Sequence, residues 1–103
     1  MGWHVPSKAE LELLDDYTVT ELKSKNYWLI SGTDDFDFNL LPAGTYDAST
    51  DRFIDMYGAT GLWSSELSSA EQAHCSYFNY YCDFVQIRIF PVANGLSVRC
   101  VKD

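Results

Sequence analysis

The sequence predicts one α+β domain across residues 1–103. Helix-start signals occur only near the N-terminus, strand-like segments gather near the C-terminus, and a long loop-rich region separates them. A chain of 103 residues with 47% apolar side chains can build one hydrophobic core. We therefore expect one or two N-terminal helices, a long ordered loop region and a small antiparallel sheet.

Two helix starts carry reciprocal capping pairs. Ser7 precedes Glu10 by three residues, and Thr18 precedes Glu21 by the same spacing. In each pair the hydroxyl can accept from a free backbone N–H while the glutamate bonds back to the cap. We expect a helix after Ser7 and a short helical turn over residues 19–23. The first helix should turn an apolar stripe to the core, namely Leu11, Leu14 and Tyr17, flanked by Leu13.

Short apolar segments bounded by turn residues predict the strands. They cover residues 27–30, 73–79, 85–90 and 96–101. Residues 32–61 combine glycine, aspartate and proline with scattered aromatics, which predicts an ordered, loop-rich region with short strands.

The charge of the chain argues against two kinds of partner. Seven Lys and Arg against fifteen Asp and Glu give a net charge of -8. We expect no nucleic-acid partner, because phosphate binding needs clustered cations, and no binding to an anionic membrane surface. No apolar run approaches the roughly twenty residues of a spanning helix, and no basic-then-apolar leader is present. We expect no direct membrane insertion, and the oligomeric state stays open.

Residue types that carry catalysis show no useful spacing. Neither His4 nor His74 has a nucleophile or a carboxylate at a meaningful distance along the chain. Cys75, Cys82 and Cys100 form no C-x-x-C pair, which disfavours a zinc site. We expect no enzymatic activity and no cofactor.

Other polar signals have more than one interpretation. Asp34, Asp35 and Asp37 form an acidic cluster that can either bind calcium through oxygen ligands or remain a solvated loop. Arg99 can form an ion pair that fixes a loop or contact a ligand, and we expect the ion pair. Trp63 is interpreted as a core tryptophan, with the hydroxyls that follow it bonded to nearby backbone.

Several segments resemble one protein family. They are GWHVPSKAEL at 2–11, GTDDFDFNLLPAGTY at 32–46, GLWSSELSS at 61–69 and GLSVRCVKD at 95–103. In the same order they are similar to signatures of the Fibrobacter succinogenes major paralogous domain. The resemblance implies a C-type-lectin-like fold in a bacterial surface protein or a phage protein. It thereby implies an extracellular, cell-surface or virion location.

The chain departs from the family pattern at two places. Met1 stands on the side where members often carry a cysteine, which leaves Cys100 without the mate that the resemblance implies. Asp37-Phe38 replaces a Gly-Phe pair in the middle segment.

The cysteines also have an interpretation from the residues alone. Leu96, Val98 and Cys100 alternate with polar residues, so we expect Cys100 to be buried. Cys82 lies at a turn and should be the most exposed thiol. A hairpin centred near residue 81 would not place Cys75 opposite Cys82, so we expect no intrachain disulfide.

The predicted recognition surface covers residues 74–92, within the stretch from residue 73 to 94. Some family members are diversified by retroelements that mutate adenines, and a mutated AAC codon can encode every residue type in this stretch except that of Gln86. The resemblance therefore implies a variable, aromatic-rich surface for a protein or cell-surface glycan ligand. The predicted ligand-binding residues are His74, Ser76, Phe78, Tyr80, Tyr81, Asp83, Phe84, Gln86, Arg88, Phe90 and Val92.

Two alternatives stay open at this point. The stretch can be sheet core throughout, as expected in any case for Val85 and Ile87. At the level of function, the chain can be a structural or assembly module of a bacterial surface lipoprotein without a selective ligand.

Overall fold

Two short helices and seven short to medium strands make up the computed structural model, which describes residues 2–103. The helices are α1 Lys8–Glu12 and α2 Val19–Leu22, with a 3₁₀ turn at Leu13–Asp16 between them. The strands are β1 Trp3–His4, β2 Thr45–Asp47, β3 Arg52–Ile54, β4 Ala59–Ser69, β5 Gln72–Asn79, β6 Cys82–Pro91 and β7 Val101–Lys102. This order confirms the α+β class, with the helices ahead of every strand except the two-residue β1.

Both predicted capping boxes are present. The backbone N–H of Glu10 donates to Ser7 Oγ at 3.1 Å, and the N–H of Ser7 donates to Glu10 Oε1 at 3.0 Å. Thr18 and Glu21 exchange the same pair of bonds at 2.9 and 3.2 Å. Each box satisfies two backbone groups that a helix start otherwise leaves free, so both helices begin where the sequence predicts.

The main sheet is three-stranded and antiparallel, in the order β4-β5-β6. Two small antiparallel pairs, β1–β7 and β2–β3, lie outside it. A tight turn at Tyr80 and Tyr81 joins β5 to β6. Strands β5 and β6 confirm the predicted strands at 73–79 and 85–90, and β5 runs through the middle of the sheet.

The core lies between the helices and one side of the main sheet. Its buried apolar residues are Leu11, Val19, Leu22, Trp28, Leu40, Leu62, Phe78 and Val85. Leu11 and the partly buried Leu14 confirm the predicted stripe. Tyr17 does not join it, and its ring packs edge-on against Phe36 at 4.9 Å. The chain tightens into the 3₁₀ turn after α1, which rotates the later residues away from the core face.

The predicted strand at residues 27–30 is wrong, because tertiary contacts override its apolar pattern. Trp28 is buried and its indole N–H donates to the carbonyl of Leu40 at 2.8 Å. Tyr27 has a φ of 79°, which no strand residue adopts. Lys23 is also buried here, with Nζ bonded to the carbonyl of Ile30 at 2.8 Å, and its burial lowers the pKa of its ammonium group.

The predicted strand at residues 96–101 is also wrong except at its last residue. Gly95 pairs with Tyr46, whereas the N–H of Ser97 donates to the carbonyl of Gly61 at 3.0 Å. Because consecutive backbone groups bond to different neighbours, no continuous strand forms. Val98 and Cys100 are exposed, so the predicted inward alternation fails with it.

Strand β4 has no counterpart in the sequence prediction. Its first four residues are buried and its last five are exposed, so its sequence lacks the two-residue alternation that marks a half-buried strand. Trp63 within it is only half-buried rather than a core residue. Ser64 behaves as expected, because its hydroxyl donates to the carbonyl of His74 at 2.7 Å. Within residues 2–103, no helix has the length and apolar character needed to cross a membrane.

Candidate ligand-binding face

The strand register sorts the residues of β5 and β6 onto two sides of the sheet. Tyr77 lies opposite Gln86, and Ala73 lies opposite Phe90. Since residues that face each other across two strands point to the same side, these residues share one side of the sheet with Arg88. Ser76 and Ile87 lie on the other side, toward the helices and the core. We call the set of Tyr77, Gln86, Arg88 and Phe90 the outer face.

Arg88 is held in place on the outer face by two neighbours. Its guanidinium carbon lies 4.6 Å from the centre of the Tyr77 ring, which is cation–π geometry. Its Nε donates to Gln86 Oε1 at 2.8 Å, and Nη2 donates to the same oxygen. The ring of Phe90 also packs on Tyr77, with ring centres 5.8 Å apart in an edge-on arrangement. The guanidinium is therefore exposed to solvent but fixed in direction.

A cleft of about 400 Å³ opens beside the outer face. Strand β2, the end of β3 and the turn after β6 form its other walls, and they contribute Asp47, Asp55 and Asn94. The volume falls within the roughly 300–1,000 Å³ typical of small-molecule sites. Arg88 and two carboxylates thus line one concave surface.

The polar groups of the cleft differ in how many hydrogen bonds they already form within the protein. Asp47 Oδ1 accepts from the N–H of Ser49 at 3.0 Å and from its hydroxyl at 2.7 Å, and Oδ2 accepts from the Thr50 hydroxyl at 3.1 Å. These bonds, the Ser49 hydroxyl first, lower the pKa of the Asp47 carboxyl. Burial and then the negative charge of Asp55 raise the pKa of the Tyr77 hydroxyl. Asp47 therefore stays ionised and Tyr77 stays protonated at neutral pH.

Several predicted ligand-binding residues belong to the core or the scaffold instead, which corrects the prediction. Ser76 is 0% and Phe78 1% exposed, because β5 is the central strand and its inner side faces the core. His74 is half-buried on that same side, opposite Ile89. Asp83 Oδ1 accepts from the N–H and the hydroxyl of Thr20 at 2.8 and 2.6 Å, so it anchors the first turn of α2.

The remaining predicted residues are accessible at the turn and along β6. Tyr80, Tyr81 and Phe84 are 40%, 72% and 68% exposed, and the two tyrosine rings meet edge-on at 5.3 Å. Val92 is exposed in the turn after β6. Together with Gln86, Arg88 and Phe90, they are the predicted residues that a ligand can reach.

Sequence reasoning missed Tyr77 and the carboxylates of the opposite wall. The turn at Tyr80 and Tyr81 pairs odd-numbered residues of β5 with even-numbered residues of β6. Apart from Asp83, the predicted set took even numbers on both strands and so mixed the two sides of the sheet. A two-residue turn at residues 80 and 81, in place of a turn centred on residue 81, pairs odd with even numbers and would have identified Tyr77. No local signal marks Asp47 or Asp55.

A second hollow, of about 310 Å³, has an apolar lining and lies away from the outer face. It is formed by Tyr27, Leu41, Pro42, Ala43, Met56 and Tyr57. None of these side chains carries a charge that could orient a polar ligand.

The acidic cluster does not gather into a metal site. Within residues 2–103, no group of three or more His, Cys, Asp or Glu side chains is arranged to hold a metal ion. Asp34 Oδ1 instead accepts from the N–H of Asn39 at 2.8 Å, which stabilises the loop. Arg99 forms no ion pair in this part of the chain, and its guanidinium carbon lies 4.3 Å from the centre of the Phe38 ring, which corrects the expected ion pair.

Comparison of the chain with protein-family models, curated proteins and solved structures finds no match.

Proposed function

We propose that the chain is a non-enzymatic receptor or adhesion domain that binds a protein or a cell-surface glycan through its outer face. The observation that carries the proposal is Arg88, which is fixed on Tyr77 at the mouth of the cleft. It makes no ion pair within residues 2–103. A rigid, unpaired cation beside aromatic rings loses little side-chain entropy when a ligand binds.

The aromatic residues around the cleft support the same proposal. Phe90 packs on the Tyr77 ring that holds Arg88, and Tyr80 and Tyr81 form a second aromatic pair at the turn of the hairpin. Tyrosine and phenylalanine provide large contact areas with only two side-chain torsions to fix, and arginine and tyrosine are common where binding energy concentrates.

The resemblance noted in the sequence adds the biological setting of the proposal. A C-type-lectin-like domain of a bacterial surface or phage protein would present such a face outside the cell or on a virion. Gln86, Arg88 and Phe90 lie within the stretch that the resemblance marks as variable, whereas Asp47 and Asp55 lie outside it. Related copies should then vary at the first three positions and not at the two aspartates.

A binding array of glycans and bacterial or host surface proteins tests the proposal. We expect the wild type to retain a defined ligand and a variant with Arg88→Gln and Phe90→Ser to lose it. A variant with Tyr80, Tyr81 and Phe84 changed to serine should bind more weakly at a nearly unchanged melting temperature. Ser64→Ala is the control, because it alters a scaffold bond away from the outer face.

The array also discriminates the second candidate function. A folded wild type that binds nothing on the array would contradict the receptor proposal and favour a structural or assembly module. Binding that survives both sets of substitutions would place the ligand elsewhere and would contradict the proposed face.

A further inference from the structure

We infer that the cleft takes a sugar that carries a single carboxylate, with Arg88 as the partner of that carboxylate. This inference rests on the proposed function, because it names the ligand class of the same face. Three observations support it. One edge of the Arg88 guanidinium has unused N–H groups, no carboxylate of the cleft pairs with Arg88, and other groups of the cleft can form hydrogen bonds to sugar hydroxyls.

The guanidinium of Arg88 has one edge in use and one edge free. Gln86 Oε1 accepts from Nε and Nη2, which together form the side edge of the fork. An arginine has five N–H donors, so the end edge, formed by Nη1 and the second hydrogen of Nη2, remains available. Two parallel N–H groups on one edge match the two oxygens of a carboxylate. Stacking on Tyr77 fixes the plane in which such a carboxylate must lie.

The carboxylates already in the cleft do not satisfy Arg88. No Asp or Glu oxygen lies within 4.0 Å of its nitrogens in the described chain. Asp47 is bonded to Ser49 and Thr50. The negative charge of Asp55 contributes to the raised pKa of the Tyr77 hydroxyl, but Asp55 forms no ion pair with Arg88. The charge of Arg88 is therefore left for an external anion.

The remaining groups of the cleft suit a hydroxylated body rather than a second acid. Asp55 can accept from sugar hydroxyls, and the side-chain nitrogen of Asn94 can donate, since its Oδ1 alone is used, by the N–H of Ala48 at 3.1 Å. Phe90 offers a ring against which a pyranose ring can pack. Asp47 and Asp55 would repel a second negative charge, so polyanionic sugars should be rejected.

The net charge of -8 does not prevent this contact. Charges farther apart than about 8 Å are largely screened at physiological ionic strength. The affinity of a carboxylate bonded to Arg88 depends mainly on the bidentate contact. The distant acidic surface lowers only the rate at which an anionic ligand associates.

Isothermal titration with methyl glucuronide and methyl glucoside tests the inference, because the two probes differ in the carboxylate. We expect the wild type to bind the glucuronide at least about tenfold more tightly, which is the size of a charge-assisted hydrogen bond. Arg88→Gln should abolish the difference and Arg88→Lys should retain only part of it. Arg99→Gln is the matched control, because Arg99 also stacks on an aromatic ring but lies outside this cleft.

Three results would overturn the inference. They are equal affinity of the wild type for both sugars, no binding of either sugar, and an unchanged preference in Arg88→Gln with a native melting temperature. None of them overturns the proposed function, which the array decides with other ligands. N-acetyltyrosine serves as a carboxylate probe without sugar hydroxyls, and tighter binding of it than of the glucuronide would also contradict a sugar ligand.

Discussion

Arg88 stacks on Tyr77 across two neighbouring strands, with the guanidinium carbon 4.6 Å from the ring centre. The two residues are diagonal neighbours, because Tyr77 lies directly opposite Gln86. Long side chains reach one another at that separation. The contact therefore depends on the register of the hairpin. Both residues line the cleft, and Arg88 is the one cationic residue among the described residues that line it.

Replacing Tyr77 with leucine should release Arg88. The substitution removes the ring face that holds the guanidinium, and an exposed cation–π contact contributes about 0.5–1 kcal/mol. We expect a loss of stability of that order in urea unfolding and faster exchange of the Arg88 Nε–H proton with water, measured by NMR. Tyr77→Phe keeps the ring and should preserve both properties. An Arg88 signal that is equally ordered in the leucine variant would show that Gln86 alone holds it.

Replacing Ser76 with alanine should stabilise the protein. Ser76 is fully buried and its hydroxyl has no hydrogen-bond partner among the described residues. A buried unsatisfied polar group costs about 1–3 kcal/mol, so removing it should raise the free energy of unfolding by about 1 kcal/mol. Ser64→Ala is the matched control and should lower it by about 1 kcal/mol, because the Ser64 hydroxyl is bonded to the carbonyl of His74. A loss of stability in Ser76→Ala would indicate a partner for this hydroxyl.

Thiol labelling of the folded protein should modify Cys100 first and Cys75 last. The sequence predicts that Cys100 is buried and that Cys82 is the most exposed thiol. In the structure Cys100 is instead exposed and lies outside any strand. Cys82 is intermediate, and its Sγ donates to the carbonyl of Phe84 at 3.7 Å. Burial raises the pKa of the Cys75 thiol to about 11, so little thiolate forms near neutral pH. Mass spectrometry after brief alkylation measures the order, with urea-unfolded protein as the control that should label evenly.

His4 should make stability depend on pH. Its Nδ1 lies 2.6 Å from Asp103 Oδ1, and its Nε2 lies 3.0 Å from Glu10 Oε1. These bonds, Asp103 first, raise the pKa of His4 above 6.5, whereas the N–H of Ser7 and then His4 lower the pKa of Glu10 below 4.5. The His4 contribution is thus full below pH 6.5 and lost as pH rises through its raised pKa. The Glu10 contribution is full above pH 4.5 and lost as pH falls through its lowered pKa.

The melting temperatures of the wild type and His4→Gln measure this dependence. Their difference should be largest between about pH 4.5 and 6.5 and should shrink at pH 8 and in high salt, because the pair is exposed. His74→Gln provides the control for a histidine outside any ion pair. A difference that grows as pH rises would contradict the charge contact.

The features that the sequence predicts well are those determined by nearby residues. Each capping box needs only two residues three positions apart, and both boxes form at Ser7 and Thr18. Strands β5 and β6 are also found within three residues of their ends. Residues 27–30 fail because burial of Trp28 depends on a carbonyl twelve residues away, at Leu40.

In the candidate site, too, the features set by nearby residues can be predicted and those set by distant residues cannot. Gln86, Arg88 and Phe90 share one side of the sheet because they alternate along one strand, and each has some exposed surface. Their partner Tyr77 depends on the register, and Asp47 and Asp55 reach the cleft only through the packing of β2 and β3. No local pattern carries that information.

The most direct test of the binding face is an NMR titration of the labelled protein with methyl glucuronide. We expect saturable shifts of the Arg88 Nε–H and of the backbone amides of Tyr77, Gln86 and Phe90. Shifts confined to the apolar hollow around Met56, with Arg88 unmoved, would contradict the assignment of the outer face as the ligand site.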